Sequence, residues 1–493
     1  MNESIFREYD IRGVYPTTIN EDIAYKIGLG YGSYLQEYLK QDTCVVSHDN
    51  RLSSESLSNN LIKGLLETGI NVIDYGLTTT PMNYYERYVN GLFGIMVTAS
   101  HNPKDDNGFK FSFDHFANAR GSMIKEFKDY INKGEFLKGQ GKLERKDIKE
   151  EYINYVVDNL KFGKRSVKVV LDPANGVTTT ILRKIYSKLN IDFIIINEES
   201  DGSFPNHHPD PSIEDNLRML KDKVLETHAD VGIGFDGDGD RIGIVDELGN
   251  MVAIEDYAII ILRNIIDKVN NKKFLYDAKS SDNFKDEVLK LGGEPVICRT
   301  GSSYTMKKIK EENIPFGFQY VGHISFNDRL FDTESAMYSS LRLIEILSKT
   351  DKSLSELVNT IDHYLHTPEE KYPSSDDKKF EVIANIKKYC DYLGYDYIEI
   401  DGLKVLFKDA WAYVRASNTG PNITLRCESK NEKDLNNLEK LFKSLINIFN
   451  KWLITYFLYF EIFSKIFKTD LLFYFYFFLS WFFFTWSIIY YLY

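Results

Sequence analysis

Leu92 to Lys110 reads L-F-G-I-M-V-T-A-S-H-N-P-K-D-D-N-G-F-K. The apolar run Leu92 to Val97 reads as a buried strand leaving a sheet, because small, polar and turn-forming residues follow it at once. Residues in such a loop face a crevice. Ser100, flanked by His101, Asn102 and Pro103, stands at its centre. A serine alone is a weak nucleophile, so its meaning depends on what the rest of the chain brings to it.

The strongest candidate partner is Gly232 to Arg241, G-I-G-F-D-G-D-G-D-R, where Asp236, Asp238 and Asp240 alternate with Gly237 and Gly239. In extended chain, carboxylates at spacing two point the same way, and glycines let the backbone curl around what they face. Three clustered carboxylates repel one another. A hard cation taking oxygen ligands resolves that repulsion, and Mg²⁺ is the natural choice if phosphate is also present.

Outward from these loops the chain shows an internal repeat. An apolar strand ends in aspartate at Cys44 to Asp49, at Val167 to Asp172 and at Phe274 to Asp277. Each is followed by a stretch with apolar spacing near the helical period: Ser54 to Thr68, Val177 to Leu189 and Asn283 to Leu291. Second strands follow at Ile70 to Tyr75, Ile191 to Asn197 and Glu294 to Cys298. Strands alternating with helices imply α/β domains with mixed, largely parallel sheets, used three times in succession. The third strand of each unit ends in one unusual loop: Ser100, Asp236 to Asp240, and Phe318 to His323. Ligands bind beyond the carboxyl ends of strands in such sheets, so three copies facing one cleft would gather nucleophile, cation site and a third binding loop.

T-A-S-H-N-P and D-G-D-G-D-R together closely resemble the α-D-phosphohexomutase family, in its phosphomannomutase/phosphoglucomutase branch. The resemblance covers roughly Ile5 to Lys430, with further motifs in the family's order. It implies that Ser100 carries a phosphoryl group, that Mg²⁺ sits between it and Asp236, Asp238 and Asp240, and that phosphate moves between O1 and O6 of a hexose. Phe6 to Gly13, F-R-E-Y-D-I-R-G, matches the family's opening motif and implies that Arg12 reaches the phosphoserine. Asn107 to Lys110 matches N-G-x-K and implies that Lys110 lies near the reacting oxygens, where a lysine of lowered pKa could act as general acid or base. Arg241 joins Arg12 and Lys110 in stabilising the transferring group.

In the third unit, Asp277-Ala278-Lys279 and Arg299-Thr300-Gly301 match substrate-contacting positions, so Lys279, Thr300 and Gly301 are carried over as substrate-binding. The family's next motif is usually G-E-x-S-G-H, whereas this chain reads Phe318-Gln319-Tyr320-Val321-Gly322-His323. Gln319 can accept and also donate, Val321 can do neither, and His323 is retained. The departure bears on sugar identity more than on chemistry. Val414 to Pro421, V-R-A-S-N-T-G-P, resembles the family's phosphate-binding loop, which carries over Arg415, Ser417, Asn418 and Thr419. Gly420 stands where the family often has Glu, so one local contact is expected to be absent. Asp201 to Pro211, D-G-S-F-P-N-H-H-P-D-P, also matches the family. Its prolines shape a loop, and its two histidines, with no third soft ligand nearby, are assigned no chemistry.

At 493 residues the length prior is about three domains. A net charge of −12 argues against nucleic-acid binding, which needs clustered Lys and Arg. The four cysteines, Cys44, Cys298, Cys390 and Cys427, lie far apart with no C-x-x-C pair, and read as buried, inert thiols in a reducing compartment. Met1 to Pro16 shows no basic n-region followed by an apolar h-region, which leaves the cytoplasm as the expected location.

The expected architecture is three successive similar α/β domains over residues 1–150, 151–255 and 256–366, with a fourth, smaller α+β domain over 367–450. A tail, 451–493, follows, and no resemblance covers it. Its last 23 residues, Leu471 to Tyr493, are uncharged and rich in Phe, Tyr and Trp. They read either as a C-terminal membrane anchor or as a translated extension unrelated to the enzyme. The expected function is interconversion of hexose 1-phosphate and hexose 6-phosphate, of mannose, glucose or both, with Mg²⁺ and a hexose 1,6-bisphosphate primer. The alternatives are a phosphoglucosamine mutase and a non-catalytic sugar-phosphate-binding protein.

Overall fold

Each of the three apolar runs that end in a special loop is an inner strand of a sheet. The computed structural model describes residues 2–189, 191–329, 333–417 and 420–451. The chain forms two compact units that part between Tyr364 and Leu365. The tail assigned from sequence, apart from the helical end at Lys451, lies outside the described residues, as do Asn418 and Thr419.

The first unit holds three sheets. The first comprises β1 (Ile11–Val14), β2 (Thr43–His48), β3 (Asn71–Leu77), β4 (Phe93–Val97), β5 (Asp106–Phe111) and β6 (Leu143–Arg145), in the order β1-β5-β4-β2-β3-β6. The second comprises β7 (Lys168–Asp172), β8 (Asp192–Ile195), β9 (Val231–Phe235), β10 (Ile242–Asp246) and β11 (Met251–Val252), ordered β11-β10-β9-β7-β8. The third comprises β12 (Lys273–Asp277), β13 (Glu294–Cys298), β14 (Phe316–Phe318), β15 (Ile324–Phe326) and β16 (Thr333–Glu334), ordered β13-β12-β14-β15-β16.

One plan recurs. The aspartate-terminated strand pairs in parallel with both neighbours: β2 with β3 and β4, β7 with β8 and β9, β12 with β13 and β14. The next two strands then extend the sheet antiparallel. β4, β9 and β10 are buried at every position, which requires cover on both faces and explains their unbroken apolar sequences. The helix Ser54–Glu67 buries Leu57, Leu61 and Leu65 and packs on the helix Glu21–Tyr38, where Gly28 and Gly64 let the two backbones approach.

The stretch Val177 to Leu189 departs from the expected single helix. It forms a 3₁₀ turn over Val177–Thr180 and a short α-helix over Leu182–Ser187. The hydroxyls of Thr179 and Thr180 donate back to the carbonyls of Gly176 and Val177, and such local bonds compete with the α-helical ladder.

In the second unit, β17 (Leu365–His366), β18 (Glu370–Pro373), β19 (Tyr397–Glu399), β20 (Leu403–Phe407), β21 (Ala410–Ala416) and β22 (Asn422–Ser429) form an antiparallel sheet. The helices Asp376–Leu393 and Glu432–Lys451 cover it, closing a core that includes Val382, Ile386, Val414, Leu425 and Phe442. All four cysteines are buried free thiols, and burial pushes Cys44 up to about 12 and Cys298 up to about 11, so neither ionises at neutral pH. Among the described residues no helix is long and apolar enough to cross a membrane.

Candidate active site

The loops after β4, β9 and β14 meet. Ser100 follows β4 with φ at 54°, a left-handed conformation that residues with a Cβ seldom adopt. Its N–H donates to Thr98 Oγ1 at 2.8 Å, and its Oγ donates to Asp236 Oδ2 at 2.8 Å. His101 Nδ1 lies 3.4 Å from the same Oγ. Burial, joined by the charges of Arg241 and Arg12, holds His101 well below the usual histidine range, so its imidazole is neutral.

The aspartate loop is not extended, as its alternation suggested, but a tight turn. Asp236 Oδ1 accepts from the N–H groups of Gly239, Asp240 and Arg241, which folds the loop around its own first carboxylate. Gly237 is required here, since a Cβ would stand 2.6 Å from the carbonyl oxygen of Ser100. The carboxylates nevertheless converge, each offering an oxygen within 4.8 Å of the others. Burial and the neighbouring charges of Asp240 and Asp238 push Asp236 well above the usual carboxylate range. Burial would raise Asp238 also, but the charge and hydrogen bond of Lys110 outweigh it and hold that carboxyl low.

Lys110 Nζ sits 2.7 Å from both Asp238 Oδ2 and Asp240 Oδ2. A lysine of lowered pKa, as expected from the sequence, would require burial to dominate. Burial does press it down, but the two carboxylates outweigh it and hold Lys110 well above the usual lysine range, as an ammonium. Asp238 Oδ1 and Asp240 Oδ1 are buried without a hydrogen-bond partner. A cluster of hard oxygen donors, two of them unpartnered and already drawing an ammonium, has the chemistry that a divalent cation fits.

Arg12 Nη1 donates to Asn102 Oδ1 at 2.7 Å and Nη2 pairs with Asp10 at 2.6 Å, which fixes it beside the serine turn. Arg241 Nε donates to His323 Nε2 at 3.0 Å. That bond places the imidazole proton on Nδ1, which lies 3.1 Å from Glu334 Oε2 and 3.6 Å from Asp240 Oδ1. Asp240 and Glu334 therefore gather around a protonated Nδ1, which cannot ligate a metal in that form.

Gln319 is turned inward, 1% exposed. Its Oε1 accepts from Gly301 N–H at 3.1 Å and its Nε2 donates to Glu334 Oε1 at 3.1 Å. Thr300 offers its carbonyl to Tyr9 Oη at 2.9 Å, while its own hydroxyl is buried without a partner. Lys279 is buried on the loop after β12, the strand beside β14. In the second unit, Arg415 on β21 pairs with Asp401 at 2.7 Å, and the carbonyl of Ser417 accepts from Lys379 Nζ at 2.7 Å. The histidines of Asp201 to Pro211 take no part in a metal group among the described residues; His207 Nε2 instead bonds Asp172 Oδ2 at 2.9 Å.

Four participants were not assigned to the site from the sequence. Thr80 Oγ1 donates to Asp238 Oδ2 at 2.6 Å, Thr98 Oγ1 to Asp49 Oδ2 at 2.7 Å, and Glu334 accepts from Gln319 and lies 3.1 Å from His323 Nδ1. Thr98 could have been found from its place two residues before Ser100. Thr80 and Glu334 carry no local signal, because their partners are remote in sequence, and Asp49 was visible only as the end of its strand.

Fold and site together define a hexose-phosphate mutase. The chain belongs to the phosphoglucomutase/phosphomannomutase family, whose α/β/α domains I, II and III match residues 3–138, 150–249 and 255–364 and whose C-terminal domain matches residues 367–444. A phosphomannomutase/phosphoglucomutase of Pseudomonas putida is 35% identical over 446 residues, covering 90% of this chain and 95% of that protein. A phosphoglucomutase of Neisseria meningitidis is 33% identical over 447 residues, covering 90% and 96%. A crystal structure of a phosphoglucomutase/phosphomannomutase family protein from Burkholderia thailandensis superposes with a TM-score of 0.84 at 31% identity, covering 91% of this chain and 98% of that one.

Proposed function

We propose that this mutase moves phosphate between O1 and O6 of mannose or glucose through a phosphoserine at Ser100. The observation that carries the proposal is the Ser100 Oγ, presented on a left-handed turn against the aspartate cluster. The free sugar hydroxyl forms its bond to phosphorus as the bond from Ser100 Oγ breaks. The hydroxyl gives up one proton and Oγ takes up one, so the step is proton-neutral. Lys110, an ammonium held by Asp238 and Asp240 in the cluster that Ser100 faces, is the proposed donor to Oγ, and the proton that the hydroxyl releases restores it. The hexose 1,6-bisphosphate then turns around, its other phosphate returns to Ser100, and free bisphosphate acts as the primer that first loads the serine.

Asp236, Asp238, Asp240 and the phosphate on Ser100 would hold Mg²⁺, which when bound supplies charge neutralisation to the transferring group. Arg12 and Arg241 bring guanidinium charge to the same place, and catalysis here rests on positioning and electrostatics. For the substrate, we propose Lys279, Thr300, Gly301, Gln319 and His323 as the sugar-recognising set. Arg415 and Ser417, with Asn418 and Thr419, are proposed phosphate ligands from the resemblance of their loop. Domain boundaries are proposed after residues 150, 255 and 366. The names of the Pseudomonas and Neisseria relatives support mannose and glucose phosphates over glucosamine phosphate.

The test is a coupled assay on glucose, mannose and glucosamine 1-phosphates, with and without hexose 1,6-bisphosphate. Primer-dependent turnover of glucose or mannose phosphate is expected. Turnover of glucosamine phosphate alone would move the enzyme to that substrate, and no turnover of any would overturn the proposal.

A further inference from the structure

We infer that Arg51 is the positioning residue that holds the Ser100 turn in its reactive shape, with Phe204 as its cover; the inference rests on the phosphoserine reading. Arg51 lies just beyond β2 and is 2% exposed. All five of its guanidinium N–H groups are used. Nε pairs with Asp49 Oδ2 at 3.2 Å, Nη1 donates to the carbonyls of Pro103 at 2.6 Å and Asp106 at 3.0 Å, and Nη2 donates to those of Ser100 at 2.6 Å and Asn102 at 2.8 Å. One planar group therefore gathers four carbonyls spanning the turn from the nucleophile to the start of β5. With no N–H left for substrate, it acts through the loop.

The same pair fixes both sides of the Ser100 residue. Asp49, held by Arg51, accepts from Thr98 Oγ1, and Thr98 Oγ1 accepts from Ser100 N–H. Arg51 itself takes the Ser100 carbonyl. A left-handed φ on a residue with a Cβ persists only where the surroundings over-determine it, and these bonds do so.

The guanidinium is also covered by the Asp201 to Pro211 loop, to which no role has so far attached. The Phe204 ring centroid lies 5.2 Å from Arg51 Cζ, and Phe204 itself has φ at 50°. Gly202 brings the backbone in so closely that a Cβ there would stand 2.0 Å from the Asn50 carbonyl oxygen and 2.7 Å from Arg51 Cα. Lysine cannot replace this geometry, since an ammonium has three N–H groups and no planar fork.

The test uses the full chain with Arg51→Lys, Phe204→Leu and Ser100→Ala, measuring kcat, KM for hexose 1-phosphate, the thermal midpoint, and the ³¹P resonance of the phosphoserine. Arg51→Lys is expected to lower kcat on the order of 100-fold, with KM little changed and the ³¹P resonance moved, because misplacing a reacting group by about 1 Å costs that much. Phe204→Leu is expected to lower kcat on the order of 10-fold in the same direction. A folded Arg51→Lys with wild-type kcat and an unmoved ³¹P line overturns the inference. Should Arg51→Lys fail to fold, Phe204→Leu decides: a kcat loss at unchanged midpoint supports the inference, and wild-type kcat overturns it. Turnover by Ser100→Ala would instead remove the phosphoserine reading, whereas an inactive Ser100→Ala beside a fully active Arg51→Lys removes the positioning role alone.

Discussion

Ser100 and Asp236 are 136 positions apart in the chain, and Ser100 Oγ donates to Asp236 Oδ2 at 2.8 Å. Both residues occupy the same place in their repeats, the loop after the third strand of the parallel core. Because the two sheets share one plan, apposing them brings the serine and the carboxylates together, although the two residues come from different repeats.

Lys110 and a divalent cation would compete for the same two carboxylates. In Lys110→Met the charges on Asp238 and Asp240 lose their partner in a buried site, which is expected to destabilise the metal-free protein by about 3 kcal/mol. Mg²⁺ should then raise the melting temperature of the variant more than that of the wild type, since binding the folded state alone adds stability. Melting curves with and without Mg²⁺ check this. Equal shifts in both proteins would separate the ammonium from the metal site, and activity surviving exhaustive chelation would make the cation dispensable.

Much of this was legible. The aspartate-ended strands and the loops after β4, β9 and β14, with Ser100 on one and the three aspartates on another, follow from local pattern, because turn chemistry and apolar runs are local properties. What was not legible depends on contacts across the chain. The Asp-Gly alternation looked extended, yet three N–H bonds to Asp236 Oδ1 curl it into a turn. Lys110 looked like a lysine of lowered pKa, yet aspartates from another domain raise it. Glu334 gave no sign at all, since its meaning lies in Gln319 and His323 on a different loop.

Gln319 and Val321 separate stability from sugar choice. Gln319→Glu removes the donor to Glu334 and sets a second carboxylate beside it, with an expected loss of about 1–3 kcal/mol. Val321→Ser adds one hydroxyl, expected to change relative kcat/KM among hexose phosphates by roughly fivefold, the equivalent of about 1 kcal/mol. Denaturant melts and competition assays check the two effects. An unchanged sugar preference in Val321→Ser and in the double variant would remove this loop from specificity.

His207 gives a pH dependence of known sign. Burial lowers its pKa, but the hydrogen bond and charge of Asp172 outweigh burial and raise it above the ordinary value. A histidine raised in the folded state adds stability that is fully present below its unfolded pKa of about 6.5 and is lost as pH rises through the folded value. The stability gap between wild type and His207→Gln should therefore be widest in mild acid and narrow above neutrality. A gap constant with pH would show that the pair contributes packing alone.

The most direct measurement is the site of the phosphate. The enzyme is incubated with hexose 1,6-bisphosphate, digested and mapped by mass spectrometry, before and after a chase with hexose 1-phosphate. The expected result is one phosphate, on Ser100, that the chase discharges, together with loss of turnover in a folded Ser100→Ala. A transferable phosphate on another residue, or a folded Ser100→Ala with near-normal rates, would contradict the account.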